Sequence, residues 1–442
     1  MQASSFFTSS TVIASKVAPR MISKRVAMVM LGFLLCVQIA RAQQSTDGAE
    51  SDRQTIQMLL RRVEQLEARV SQLEAGKTAV AATSGAGDAS AQTANTPAPP
   101  VSEPEGKPAH GMAERMDTSN TLMRIRGFGD VTFHGDNQKG DTTSFTLGQL
   151  NLFVTSDISE RFKLLSEIVF EADTHNNMGV DIERLLLQYS HNDYLNIAVG
   201  RYHTAIGYYN TAYHHSTWLQ TATGRPFLFQ FEDNGGILPI HNVGVSASGL
   251  IPSGKLQLHY VAEVGNGRAS RSPLDEAVQN VVDENNTKSV NFGIFATPDA
   301  IRGLQVGFSV YHDRLQPAHA PRIGETIFAA HAVMVRPSFE WLNEVLDIRH
   351  APDGSAHVFD TPGFYSQVSK RFGSYRPYFR YQYVNGSDSE PVFPDVGLRQ
   401  GPSVGLRFDA SESVALKLQY DRTLLRHLPS YNSLALQMGF TF

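Results

Sequence analysis

The chain ends in YNSLALQMGFTF, where Leu434, Leu436, Met438, Phe440 and Phe442 share one face of an extended strand and Ser433, Ala435, Gln437, Gly439 and Thr441 share the other. The same period-two pattern begins at Met123 and recurs up to that end. MRIRGFGDVTF sets Met123, Ile125, Val131 and Phe133 against Arg124, Arg126, Asp130 and Thr132. FKLLSEIVFE sets Phe162, Leu164, Ile168 and Phe170 against Lys163, Glu167 and Glu171. Charges at this frequency opposite an apolar face do not suit a packed soluble sandwich, whose core accepts them only with partners. A sheet closed around water, with its apolar face turned to lipid, accommodates both faces. Persistence of the apolar face to the last residue also argues against an ordinary frayed terminus.

Connections between the alternating segments come in two sizes. Short ones such as SDISE (from Ser156), SHNDY (from Ser190), KRFGS (from Lys370) and DASES (from Asp409) alternate with long polar ones such as GNGRASRSPLDEAVQNVVDENNTK. Tight turns at one rim and long loops at the other are the signature of an outer-membrane β-barrel. The fold expected is therefore all-β and transmembrane, an antiparallel barrel of about sixteen strands over residues 122–442, preceded by a short α-helical coiled coil. Strand starts are expected near Met123, Thr146, Phe162, Val180, Leu195, Asn242, Leu256, Ser289, Leu304, Thr326, Phe339, Gly363, Tyr375, Ser403, Val414 and Asn432. Fourteen or eighteen strands would satisfy the same pattern with different boundaries. An even number leaves both barrel ends in the periplasm.

Ahead of the barrel, MISKRVAMVMLGFLLCVQIARA has basic residues Lys24 and Arg25, an apolar stretch from Val26 to Ile39 and the small-x-small site Ala40-Arg41-Ala42. Residues 1–42 therefore read as an export signal, and Met21 is itself a normal start. The lone cysteine, Cys36, falls in this segment, so the mature chain enters an oxidising compartment without disulfides. Outside the N-terminus no apolar run reaches the length of a membrane-spanning helix. Loss of Lys16, Arg20, Lys24, Arg25 and Arg41 takes the formal charge from -5 to -10, which argues against nucleic acid as a partner.

Residues 43–76 contain IQMLLRRVEQLEARVSQLEAG, with Ile56, Val63 and Val70 at one heptad position, Leu59, Leu66 and Leu73 at the other, and Gly76 as a stop. β-branched residues at a with Leu at d favour a dimer. RVEQLE and RVSQLE instead resemble a trimer-specifying coiled-coil signature, and a homotrimer is the reading taken. A single amphipathic helix lying on the barrel is the alternative. Residues 77–121, rich in Ala, Thr, Ser, Gly and Pro, read as a flexible linker.

Together the export signal, the sixteen-strand pattern and the terminal strand ending in Phe442 resemble bacterial outer-membrane porins. The added coiled coil and linker resemble the DcaP-like channels and, more loosely, the phosphate-selective porin O/P group. The resemblance implies that Phe442 is an assembly signal read by the barrel-assembly machinery. It also implies that the connection after the fifth strand folds into the lumen. That connection, Gly200 to Asn242, offers Tyr202, His203, Tyr208, Tyr209, Tyr213, His214, His215, Trp218 and Arg225 as constriction residues. A membrane-interface girdle is an alternative place for about half of these aromatics. Adjacent His214 and His215 have no carboxylate partner evident in sequence, so no metal site and no cofactor are expected.

In this register a basic wall is expected from Arg124 and Arg126 on the first strand, Arg376 and Arg380 on the thirteenth, Arg407 on the fourteenth and Lys417 on the fifteenth. Glu167, Glu171, Glu263, Glu340 and Glu344 lie elsewhere around the lumen. Such a division sets a transverse field that favours anionic solutes. Mutual pairing, for instance Arg407 with Asp409 or Lys417 with Asp421, would leave little field. An enzyme is not expected: YHDRLQPAH supplies His312, Asp313 and His319 but no nucleophile motif accompanies them. The expected function is passive diffusion of small hydrophilic solutes, with a lean towards anions, through a bilayer-embedded homotrimer. A tether linking the outer membrane to the cell wall is the alternative.

Overall fold

The computed structural model describes residues 122–442 apart from 139, 173–175, 214, 269–281 and 318–320. The expected export signal, linker and coiled coil, with Ile56, Leu59, Val63, Leu66, Val70 and Leu73, lie outside the described residues.

Sixteen strands are found among the described residues: β1 (Leu122–Asp136), β2 (Ser144–Asp157), β3 (Phe162–Ala172), β4 (Met178–Asn192), β5 (Leu195–His203), β6 (His241–Ile251), β7 (Leu258–Gly265), β8 (Ser289–Ala296), β9 (Leu304–Leu315), β10 (Ile323–Arg336), β11 (Phe339–Pro352), β12 (Phe359–Lys370), β13 (Tyr375–Asn385), β14 (Leu398–Asp409), β15 (Val414–Leu425) and β16 (Tyr431–Thr441). Each pairs antiparallel with its sequence neighbours, and β16 pairs with β1 to close the barrel. Closure satisfies every strand edge, which an open sheet in lipid does not allow. One rim carries tight connections such as Asp193-Tyr194 and Pro337-Ser338, and the other carries the long loops, above all residues 204–240 between β5 and β6.

Alternation sorts the side chains as the pattern implies. On β16, Leu434, Leu436, Met438 and Phe442 are exposed on the outer face, whereas Ala435 and Gln437 are buried inside. The two starts that differ most are β12, which begins at Phe359 rather than Gly363, and β14, at Leu398 rather than Ser403. Both extend past the apolar band, where alternation loses its contrast. β7 starts two residues late because Gly254–Leu256 forms a 3-10 turn and Gln257 is left-handed, at φ 48°.

Pairing of β1 with β16 runs from Phe128 opposite Thr441 to Asp136 opposite Ser433. The Phe442 amide and carbonyl then bond the carbonyl and amide of Gly127 at 3.0 and 2.8 Å. The Phe442 ring covers Gly127 and the Phe440 ring covers Gly129, where any β-carbon would collide with them. Arg124 and Arg126 therefore lie beyond the end of β16, not beside it.

Two bulges break the alternation within the wall, and a third register shift, between Ser190 and Asn192, sits at the β4–β5 turn. Across β3 and β4, Glu167 pairs Arg184 but Ile168 pairs Ile182, so Glu183 is an extra residue. The bulge turns Glu183 and Arg184 inward together, both buried, while Ile182 and Leu185 keep facing out. Across β1 and β2 the register shifts between Gly129 and Val131, and Gly148 leaves room for the Asp130 carboxylate.

In β5, Gly200 has φ 135°, and a β-carbon there would stand 1.9 Å from the Leu185 carbonyl oxygen. Gly200→Ala meets backbone that has no freedom to give, and strain at such a position costs on the order of 1–3 kcal/mol before the clash is counted. The folded, heat-modifiable band of Gly200→Ala in cold electrophoresis should fall several-fold after refolding into micelles. Gly179→Ala, whose nearest neighbour is the Glu171 carbonyl at 3.9 Å, should match the parent. Equal yields for the two variants would refute this account of β5.

Candidate functional site

Residues 204–240 fold into the lumen and are held there by the wall. The loop contributes an apolar body, Ile206, Tyr209, Leu228, Phe229, Ile237, Leu238 and Ile240, which packs on inward residues of β9 to β13 such as Tyr311, Ile327, Leu342, Leu346 and Tyr365. A water-filled interior was the reason for expecting polar lumen residues. Over these strands the interior is instead a protein core.

Charged residues fix the loop's polar backbone. Glu344 accepts from the amides of Tyr208 and Tyr209 at 2.5 and 2.9 Å and from the Tyr365 hydroxyl at 2.7 Å. It thereby satisfies amides at the start of a one-turn helix, α1 (Tyr209–Ala212). Glu340 accepts from Tyr213 (3.1 Å), Thr221 (3.2 Å) and Gln367 (2.8 Å). Glu263 takes the Ala205 amide at 3.0 Å and the Asn291 side chain at 2.8 Å.

The cations serve loop carbonyls. Lys417, 1% exposed, donates to Thr217 O at 2.5 Å, Ala222 O at 3.2 Å and the Gln437 side chain at 3.1 Å, which uses all three ammonium protons. Arg380 donates to the carbonyls of Gly224 at 3.0 Å and Thr223 at 3.4 Å. Arg407 donates to Trp218 O at 2.6 Å and Gln220 O at 2.9 Å, and also pairs with Asp409 at 2.7 Å. Three of the six expected wall cations thus seat the loop. Arg376 donates to Pro337 O at 2.9 Å near the short-turn rim. Arg124 is exposed, with Asp157 at 4.0 Å, and Arg126 is exposed close by.

Within the loop, Arg225 lies over the Phe231 ring at 4.1 Å and the Tyr209 ring at 5.2 Å, and donates to the carbonyls of Phe229 and Tyr213. Burial pushes the Tyr208 and Tyr209 phenols up to about 12, the nearby Glu340 and Glu344 adding to the effect. For Tyr209, Arg225 and Arg380 pull the other way. His215 is buried and stacked on Phe231 at 3.9 Å, whereas His214 lies outside the described residues. Glu167 is bound by Arg184 at 2.6 Å and Asn151 at 2.5 Å, and Glu171 by Gln149. His312 is exposed and Asp313 buried on opposite faces of β9, so they do not act together; His319 lies outside the described residues.

Several inward residues were not anticipated. Arg268, Glu325, His350 and Glu390 form a buried network towards the long-loop rim, with His350 Nε2 2.7 Å from Glu325. Glu183, Arg201, His215, His241 and Glu232 form another at the loop's stems. The consecutive charges in GVDIERLLLQY were a readable sign of the β4 bulge. Nothing local pairs His241 with Glu183.

Below the loop, at the short-turn rim, lies a cavity of about 960 Å³ lined by Tyr208, Tyr213, Trp218, Arg336, Arg371, Arg376 and Arg407 with Glu340, Asp409 and Glu412. Tyr208 also borders a second cavity of about 520 Å³ beside Asp299 and Arg302.

No family model and no curated protein matches the sequence of this chain. Its structure is similar to an anion-selective porin from Comamonas acidovorans, at 12% identity and TM-score 0.52, over 73% of this chain and 100% of that one. It is also similar to the outer membrane channel DcaP of Acinetobacter baumannii, at 13% identity and TM-score 0.51, over 73% and 97% of the two chains. OmpF of Salmonella typhi, solved in complex with daunomycin, matches at 10% identity and TM-score 0.51, over 72% and 97%. The fold is therefore the porin barrel, shared with DcaP and the other two solved chains.

Glu344→Ala leaves two amides and a buried hydroxyl without their acceptor, at about 1–3 kcal/mol for each group left unsatisfied. Limited proteolysis should then nick residues 204–240 at least tenfold faster while the barrel stays heat-modifiable. Unchanged cleavage would mean that the loop is held elsewhere.

Proposed function

We propose that this barrel is an outer-membrane channel through which small hydrophilic solutes diffuse passively, with a preference for anions. The observation that carries the reading is the cavity of about 960 Å³ bounded by the inward loop, in which a closed barrel, a seated constriction and a charged mouth coincide. Its lining holds four arginines, Arg336, Arg371, Arg376 and Arg407, against three carboxylates, Glu340, Asp409 and Glu412. Glu340 is already engaged by three neutral donors, and Asp409 is shared by Arg407 and Arg371. The balance favours an anion entering from the periplasmic side. The solved anion-selective porin of similar fold supports the same lean.

Neutralising Arg376 keeps the loop's anchors, since Arg376 bonds only a turn carbonyl among the contacts above. Under a salt gradient across a planar bilayer, Arg376→Gln should move the reversal potential towards cation preference, with single-channel conductance reduced by less than half. A parent that does not conduct would remove the channel reading. An unmoved reversal potential would remove the role of this cavity in selectivity.

The channel is proposed to be a homotrimer whose coiled coil, residues 43–76, stands in the periplasm. Support on the barrel comes from the outer face of β10 to β12, where Ala330, Ala332, Asn343, Asp347 and Ser366 interrupt the aliphatic belt. Ser366 donates to Asn343 at 2.6 Å, and Asp347 leaves a carboxylate oxygen without a hydrogen bond, a poor surface for lipid. A chain lacking residues 43–122 should still conduct and still sediment as three copies in detergent. Loss of the outer membrane's attachment to the cell wall on that deletion would favour the tethering alternative.

A further inference from the structure

Where the inward loop leaves β5 and returns to β6, four side chains from three elements and the loop converge. His203 closes β5, His241 opens β6, His215 comes from the loop, and Glu183 is the bulged residue of β4. All four are buried. One ring nitrogen from each histidine lies within 4.8 Å of the other two. His241 Nε2 stands 2.8 Å from Glu183 Oε2, His215 Nε2 stands 3.5 Å from the same oxygen, and the two Nε2 atoms are 3.5 Å apart.

We propose that His203, His215, His241 and Glu183 form a closed, four-ligand zinc site that staples the inward loop to its own stems.

Three arguments support the assignment. Ligands about 2.0–2.1 Å from a tetrahedral zinc stand about 3.3 Å apart; the separations among Glu183, His215 and His241 bracket that edge, and His203, whose ring nitrogen lies within 4.8 Å of those of the other two histidines, draws closer on binding. Second, two of the three outer nitrogens are already held in the manner of metal-bound imidazoles. His241 Nδ1 faces Glu232 at 3.1 Å, and His203 Nδ1 faces the Asn210 carbonyl at 3.0 Å. Protons on those nitrogens direct the Nε2 lone pairs inward. Third, His215 Nε2, His241 Nε2 and Glu183 Oε2 converge within 3.5 Å of one another in a buried site, a crowding of ligand atoms that a cation between them would hold together. Imidazole with one carboxylate suits zinc, and four protein ligands leave no open position, so the role is structural. Phe231, parallel to the His215 ring at 3.9 Å and 6°, fixes that ring from the other side.

The site stands independently of conduction, so failure of one reading leaves the other in place. The full chain, purified from outer membranes in detergent, should contain close to one zinc per chain by elemental analysis. After refolding in metal-free buffer it should bind added zinc chloride with the same stoichiometry in calorimetry. His215→Ala should weaken that binding at least a hundredfold. Glu232→Gln, whose carboxylate bonds His241 among the described residues, should weaken it by about ten- to a hundredfold. Should the variants fail to refold, the parent loaded with cobalt decides: an intense visible band of tetrahedral cobalt supports the site, and a weak octahedral spectrum overturns it. Parent protein that neither carries nor binds zinc, or His215→Ala that binds as the parent does, overturns it as well.

Discussion

Buried charges of the wall, bonded to the backbone of the inward loop, are the interaction on which the rest of this structure depends. A loop crossing the interior carries amides and carbonyls that must find partners once water is displaced. Here carboxylates meet the amides and cations meet the carbonyls: Glu344 at Tyr208 and Tyr209, Lys417 at Thr217 and Ala222, Arg380 at Thr223 and Gly224. Each charge is desolvated, which by itself is unfavourable by several kcal/mol. Multiple hydrogen bonds to each ion offset that cost and give the loop one position instead of many. Apolar packing of Leu228, Phe229 and Leu238 then adds cohesion that does not depend on direction.

Much of the barrel was legible because lipid imposes a strict period on each strand. Seven expected strand starts, among them Phe162, Leu195, Phe339 and Val414, coincide with the observed ones. Alternation weakens beyond the apolar band, and there β12 and β14 run longer than expected. The inward placement of residues 204–240 was anticipated through the resemblance to porins, since this long connection follows the fifth strand. What escaped was the loop's relation to the wall. Arg380, Arg407 and Lys417 do share neighbouring strands, yet period alone places a side chain on a face and says nothing of what faces it across the lumen. The carbonyls that receive these cations belong to residues 156 to 200 positions away.

The stem cluster was illegible for a related reason. His203 and His241 look unrelated in sequence, and His215 looked like half of a His-His pair. Antiparallel pairing of β5 with β6 sets His203 directly opposite His241. Glu183 reaches them only because a bulge in β4 sends it inward beside Arg184. A regular strand would have turned one of those two charges into lipid. The bulge is thus a condition for the buried network, and it is also why consecutive charges are tolerated in a spanning strand.

A consequence follows for the electrostatics of the interior. Net charge, -5 for the whole chain, describes the field poorly, because the charges that anchor the loop are held at fixed buried positions and few of them, such as Arg407 with Asp409, are offset by an opposite charge. Lys417, Arg380, Glu344 and Glu263 are all buried in this way. Charges that still face solvent lie mostly at the short-turn mouth, where Arg336, Arg371 and Arg376 border the cavity. Low-dielectric walls on one side of that cavity concentrate their field into the remaining aqueous space. The selectivity proposed above therefore rests on the few charges that the loop leaves facing solvent, and the loop's anchoring pattern decides which those are.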